Sequence, residues 1–265
     1  MFSYEFVRIA FVCAILISIL LPAIGAPLVQ KRLSNIGDAL SHTSLAGVAI
    51  GVVCGFSEIG GAIVISVVAS LIIELIRRKF HKYSELSIVI VMSFAVALVS
   101  ILSQNIGAKS LSSYLFGNIN TVKISELIVL AILFVITLIF YLGFYHQIFY
   151  TSYNELQASL DGVHVKTLTI FQTVLTAVII AVASKVVGAL MVASLMVIPY
   201  AASLQLSKSY KGSLIISIII ALISSISGTI IAYYSNSPTG GTMVMISIII
   251  LIVSMGLNKI FKFNK

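Results

Sequence analysis

Apolar runs of about twenty residues recur along this chain from one end to the other, and that spacing leaves few folds open to it. About twenty residues, rising ~1.5 Å each, cross a ~30 Å hydrocarbon core as a helix. Nine such runs can be drawn, at 9–29, 36–56, 59–76, 86–103, 124–144, 167–183, 186–205, 213–233 and 242–258. The expectation is an all-α, polytopic helical bundle in a membrane, with residues 1–265 forming one transmembrane domain. Only Ser184-Lys185 separates the sixth run from the seventh. The two are therefore either separate helices or one long, broken element, giving nine or eight spans. Charged residues make up 9% of the chain and hydrophobic ones 60%, against about 25% and 45–50% in soluble domains, so no soluble domain larger than a loop fits between the runs. The first run is long enough to span and no basic segment precedes it, so it reads as a retained helix and not as a cleaved signal.

The formal charge of +8 does not indicate a nucleic-acid partner, because Lys and Arg fall in short clusters between apolar runs. In a membrane protein such clusters set orientation. With the N-terminus outside, twelve of the sixteen cations, including Lys31-Arg32 and Arg77-Arg78-Lys79, face the cytoplasm; Arg8, Lys109, Lys123 and Lys185 face out. The outer connection then carries Leu111-Ser-Ser-Tyr-Leu-Phe-Gly117, semi-apolar and too short to cross, which reads as an interfacial or re-entrant segment. Cys13 and Cys54 lie in apolar runs without metal-type spacing and read as packed thiols.

Most of the eight acidic residues fall in loops or at span ends. Glu74 lies deeper, but Arg77 and Arg78 follow at i+3 and i+4 and predict a helix-surface pair. Asp38 is harder to place. Asn35 and Asp38 together resemble a helix-capping box, and a carboxylate is favoured in a helix's first turn. Capping does not explain His42. Residues at i and i+4 share a helix face, so the Asp38 carboxylate and the His42 imidazole can converge on one ion. Such an O/N pair suits zinc, manganese or ferrous iron; the same two residues also suit a proton relay or a structural hydrogen bond. On the same helix Ala39, Thr43, Gly47, Gly51 and Gly55 recur every four residues, a small-residue stripe that lets another backbone approach.

No Gly-x-x-x-x-Gly-Lys-Ser/Thr loop, Gly-x-Ser-x-Gly elbow or His-Glu-x-x-His signature occurs in the sequence. The chain reads as a transport subunit and not an enzyme. If ATP drives it, another chain holds the nucleotide.

Four strings, in order along the chain, carry a resemblance: Lys31-Arg-Leu-Ser-Asn-Ile-Gly-Asp-Ala-Leu-Ser-His-Thr-Ser-Leu-Ala-Gly-Val-Ala49, Leu111-Ser-Ser-Tyr-Leu-Phe-Gly-Asn-Ile119, Val187-Gly-Ala-Leu-Met-Val-Ala-Ser-Leu-Met-Val-Ile-Pro-Tyr-Ala-Ala-Ser203 and Ser237-Pro-Thr-Gly-Gly241. Together they resemble the metal-ion permeases of ATP-binding-cassette importers, which take up zinc, manganese or iron. The resemblance implies a multi-pass permease of the bacterial cytoplasmic membrane that pairs as a homodimer. Separate ATPase subunits and an extracytoplasmic metal-binding protein serve it, and it holds no tightly bound cofactor. The family's pathway ligands match Asp38 and His42, and the wording of the first string is most similar to the zinc-uptake branch. Many members have proline where this chain has Ala46. For the cytoplasmic helix that engages the ATPase, the resemblance points to Ala201–Lys211, with Tyr153-Asn-Glu-Leu-Gln-Ala-Ser-Leu160 as the competing segment.

Overall fold

The computed structural model describes residues 5–80, 84–103, 114–117, 124–235 and 237–261. Among these residues the fold is all-helical and contains nine helices long and apolar enough to cross a membrane. In chain order the helices are α1 (Glu5–Gln30), α2 (Ile36–Val53), α3 (Glu58–Lys79), α4 (Ser84–Leu102), α5 (Ile124–Tyr153), the short α6 (Glu155–Leu160), α7 (Val165–Val187), α8 (Ala189–Leu206), α9 (Tyr210–Ser235) and α10 (Thr239–Phe261). Each expected run falls mostly on one of the nine long helices, although 36–56 overruns α2 by three residues and 186–205 begins on the last two residues of α7. The leading differences have local causes. α5 continues nine residues past the expected end at 144, and Phe144 (φ −114°, ψ 17°) is the non-helical residue at which its two halves join.

The two helices expected on either side of Ser184-Lys185 are separate, but the break falls later. Lys185 completes the last turn of α7, and Gly188 (φ +104°) is the single residue between α7 and α8. A residue at that φ ends a helix at little cost only when it is glycine. At the other side of the membrane α1 ends in a Schellman turn. The Leu33 amide donates to the Leu28 carbonyl (2.8 Å) and the Arg32 amide to that of Val29 (3.0 Å). Arg32 holds the left-handed position (φ 59°) that glycine usually fills.

α2 and α7 are the most enclosed spans, while α4, α5 and α10 turn most of their apolar surface outward. α2 packs along α3 and α4 and also meets α7 and α8. The small-residue stripe explains the closest of these contacts. A Cβ placed on Gly47 would lie 2.8 Å from the Ala62 Cα and closer still to the Gly61 carbonyl oxygen; one on Gly51 would lie 3.1 Å from the Ser57 carbonyl oxygen. The stripe stops there, because Gly55 (φ +73°) belongs to the turn after α2 and has nothing near it. Serines of α9 bond back to their own helix, Ser217 to the Leu214 carbonyl and Ser224 to that of Ile220, as hydroxyls in apolar surroundings do.

Candidate metal centre

From Ile36 to Ala49, α2 buries every residue except two, Asp38 and His42. An otherwise enclosed helix thus keeps open the face that bears its only two ionisable groups. The Asp38 Oδ1 and His42 Nε2 lie 3.7 Å apart, with side-chain exposures of 40% and 18%. That distance is too long for a hydrogen bond. It is close to the separation of two donors on one ion, about 3.4 Å for adjacent corners of a tetrahedron with ~2.1 Å bonds. The capping reading of Asp38 fails: Asn35 makes no side-chain bond to the helix start, and Asp38 has His42 as its ionic partner. Being in the first turn still favours the carboxylate through the helix dipole.

Further along the same helix, Leu45, Ala46 and Val48 pack with Ala62, Ala95, Val99 and Tyr114 in an apolar cluster. At its other end the helix begins directly after the Lys31–Asn35 turn. Among the described residues no three His, Cys, Asp or Glu side chains gather around one point. Asp38 and His42 therefore offer two donor atoms, with no third such side chain beside them among the described residues.

The four strings singled out in the sequence converge on α8. At its middle, a Cβ on Gly37 would lie 2.7 Å from the Met196 Cε and one on Gly25 would lie 2.6 Å from the Met196 Cγ, so these glycines form the notch that α8 enters. At its outer end, a Cβ on Gly188 would meet the Phe116 carbonyl carbon at 2.5 Å, and one on Gly240 would meet the Met191 Cγ at 2.8 Å and press on the Val187 carbonyl. Gly117 (φ +73°) faces the same junction. Here backbone meets backbone, a contact no pattern of hydrophobicity reveals. The expected interfacial segment at 111–117 lies partly outside the described residues. Of it, Tyr114 is buried and donates to Glu58 Oε2 at 2.9 Å. Burial and the neighbouring Glu58 push the Tyr114 hydroxyl above its usual pKa. Lys185, expected outside, bridges Glu126 (2.7 Å) and Glu58 (3.5 Å) at this end.

The opposite end of the bundle, expected to face the cytoplasm, holds the denser charge network, and most of it is beyond the reach of sequence patterns. Glu74 is buried and receives Arg77 (Nε 2.9 Å, Nη2 3.1 Å) and Arg78 (Nε 2.8 Å), as its spacing predicts. Glu155, the first residue of α6, receives Lys31 Nζ at 3.0 Å and Arg77 Nη1 at 3.4 Å. Burial pushes the Lys31 ammonium below its usual pKa, with Glu155 opposing. Glu155 is also partly desolvated, yet Lys31 and Arg77 hold its carboxyl below the usual range. Of the two segments considered for ATPase contact, Ala201–Leu206 is not a separate helix. It continues α8, with Ala202 and Ser203 buried, and only a short turn leads to α9. Tyr153–Leu160 does form its own short helix, α6. Asn154 caps it by accepting the Leu156 and Gln157 amides, Ala158 anchors it, and Leu156 and Leu160 stand exposed at 72% and 78%.

The chain matches the ABC 3 transport family over residues 3–258. It belongs to that family and is a multi-pass membrane permease subunit of an ATP-binding-cassette transport system. Similar proteins include a probable metal transport system membrane protein of Treponema pallidum, 32% identical, covering 98% of both chains. The high-affinity zinc uptake system membrane protein ZnuB of Buchnera aphidicola subsp. Acyrthosiphon pisum is 26% identical, covering 95% of this chain and 97% of that protein. The manganese transport system membrane protein MntC of Listeria monocytogenes is also 26% identical, with coverages of 95% and 90%. A solved structure, PsaBC from Streptococcus pneumoniae in complex with Fab, superposes with a TM-score of 0.85 at 26% identity, covering 97% of this chain and 96% of that one.

Proposed function

We propose that this permease carries divalent transition-metal ions inward, zinc foremost, and that Asp38 and His42 are the ligands the ion meets on its way. One observation carries the reading: the two positions left open along the buried part of α2 are the two that can bind a metal, at a separation suited to one ion. A carboxylate and a neutral imidazole are the donors that zinc accepts, and manganese and iron accept them too. The likeness of the Lys31–Ala49 string to the zinc-uptake branch supports zinc as the first candidate. Relatives named for zinc and for manganese match this chain equally well.

Two donors hold an ion weakly, as transit demands, because a site that binds too tightly does not release. A second copy of the chain facing the first across the pathway doubles the set to two carboxylates and two imidazoles. ATP binding and hydrolysis in partner subunits, engaged through the exposed apolar face of α6, then alternate the access of this shared site. An extracytoplasmic metal-binding protein supplies the ion. Binding requires neutral imidazole, so acidification favours release.

The test is growth of a strain lacking the gene, with zinc, manganese and iron each made limiting and either the wild-type or the Asp38→Asn gene returned. Rescue by wild type under zinc limitation, and none by the variant, is the expected result. Rescue by the variant under all three limitations removes the site. Rescue by wild type under manganese limitation alone replaces zinc with manganese. Uptake that persists without ATPase subunits and follows a pH gradient refutes the importer reading.

A further inference from the structure

We propose that Glu155, together with Lys31 and Arg77, is the strut through which movement of α6 reaches the α1–α2 turn and the metal-bearing helix beyond it. The inference rests on the transport reading above and adds to it a positioning role for residues that touch no metal. α6 packs against α5 and α7, and a cleft of about 650 Å³ opens between it and the α1–α2 turn. Glu155 spans that cleft. One of its carboxylate oxygens takes the Lys31 ammonium at 3.0 Å and the Arg77 guanidinium at 3.4 Å.

Both ends of the strut are anchored. Lys31 exposes only 5% of its side chain, and its other hydrogen-bond partner is the Thr169 hydroxyl, at 3.4 Å. A buried ammonium is costly without its counter-charge, so Lys31 follows Glu155 when α6 shifts. Lys31 is itself fixed to the α1 terminus by its amide bond to the Pro27 carbonyl (3.1 Å), and the Schellman turn that follows leads to Ile36, two residues before Asp38. Arg77 grips Glu74 with two nitrogens, and Arg78 ties Glu74 to the Lys166 carbonyl at 3.2 Å. The end of α3 and the start of α7 thereby form the fixed frame against which the strut works. Salt bridges exposed to water transmit little because the partners separate at small cost. Here burial on the Lys31 side makes separation expensive.

The experiment uses the complete importer, with permease, ATPase subunits and external binding protein, in sealed vesicles. Uptake of radioactive zinc and ATP hydrolysis are measured on the same preparation. Glu155→Gln is expected to lower the metal moved per ATP on the order of tenfold, within the usual range of coupling energies, while hydrolysis persists. The charge exchange K31E/E155K is expected to restore most of the ratio, whereas each single reversal lowers it. A bifunctional thiol reagent bridging K31C/E155C supplies a second route: joined residues should recover coupling that the unjoined pair lacks, independently of how well any one variant folds. An unchanged ratio in Glu155→Gln, or an exchange and a bridge that both fail to restore it, overturns the strut. Absence of metal uptake by the wild-type complex overturns the transport reading instead, so the two failures are distinguishable.

Discussion

Replacing Gly47 by alanine adds one methyl group at the point where α2 and α3 approach most closely. The new Cβ would lie 2.8 Å from the Ala62 Cα, against the ~3.4 Å at which ordinary contact begins, a shortfall of about 0.6 Å. The obstructing atoms are backbone, so no rotamer change relieves them and the helices must part. Overpacking of this kind costs about 1–3 kcal/mol, and the rigid neighbours place it at the upper end. Alanine's better helix propensity returns about 1 kcal/mol, leaving a net loss of about 2 kcal/mol. For a chain of this size that corresponds to a fall of about 4–8 °C in Tm. Gly256→Ala, with nothing within 4 Å of the added atom, provides the control: the same substitution in open space should hold Tm or raise it by about 2–4 °C. Thermal unfolding of the purified permease in detergent, followed by tryptophan-independent light scattering or thiol accessibility at Cys13, reads both. Equal Tm values for the two variants would refute the backbone-contact argument.

The other predictions concern charge and the site. Glu74→Ala leaves Arg77 and Arg78 without their buried partner and should cost about 2–3 kcal/mol, below the ~3–5 kcal/mol of a fully buried pair because both guanidinium groups are partly exposed; chemical denaturation measures it. Lys185→Met removes the ammonium that lies 2.7 Å from the buried Glu126 carboxylate and should destabilise, and adding Glu126→Leu should recover part of the loss. Glu155 has a lowered pKa, so its contribution is complete above the usual carboxylate value of 4.5 and is lost as the pH falls through the lowered one. Between the two values, wild-type stability should therefore fall more steeply with falling pH than that of Glu155→Gln. His42→Ala should abolish zinc binding to the permease measured by calorimetry near neutral pH, with folding intact, since His42 is partly exposed and, among the described residues, forms an ion pair with Asp38 alone.

The spans were legible because lipid imposes a length and a composition on every crossing segment, and both are local properties of the sequence. The same locality made Glu74 readable from its arginines at i+3 and i+4, and Asp38 with His42 from their shared face. Where the reading slipped, a single residue decided the matter. Ser184-Lys185 looked like the turn, but Gly188, three residues on, supplies the positive φ that ends α7. Asn35 has the chemistry of a cap, yet its backbone turns helical (φ −79°, ψ −5°) and its side chain makes no capping bond. Gly117 against Gly188 and Lys31 against Glu155 had no signature at all, since residues so far apart meet only through the packing of the whole bundle. The resemblance to metal permeases marked the strings containing these glycines; their convergence on α8 is a finding of the structure.

The one-residue link between α7 and α8 bears on how the chain enters the membrane during synthesis. Two spans of 23 and 18 residues joined by Gly188 alone leave no slack for the first to cross and wait for the second. A link this short favours their insertion together, as a hairpin whose tip carries Lys185 through the hydrocarbon. Moving that charge past mid-depth opposes insertion by about 2.5–3.5 kcal/mol, and the two apolar arms together must overcome it. A loop lengthened at Gly188 would free the arms to insert one at a time, but it would also lift the tip off Gly117 and Gly240. The shortness that complicates entry into the membrane is what locks the finished bundle.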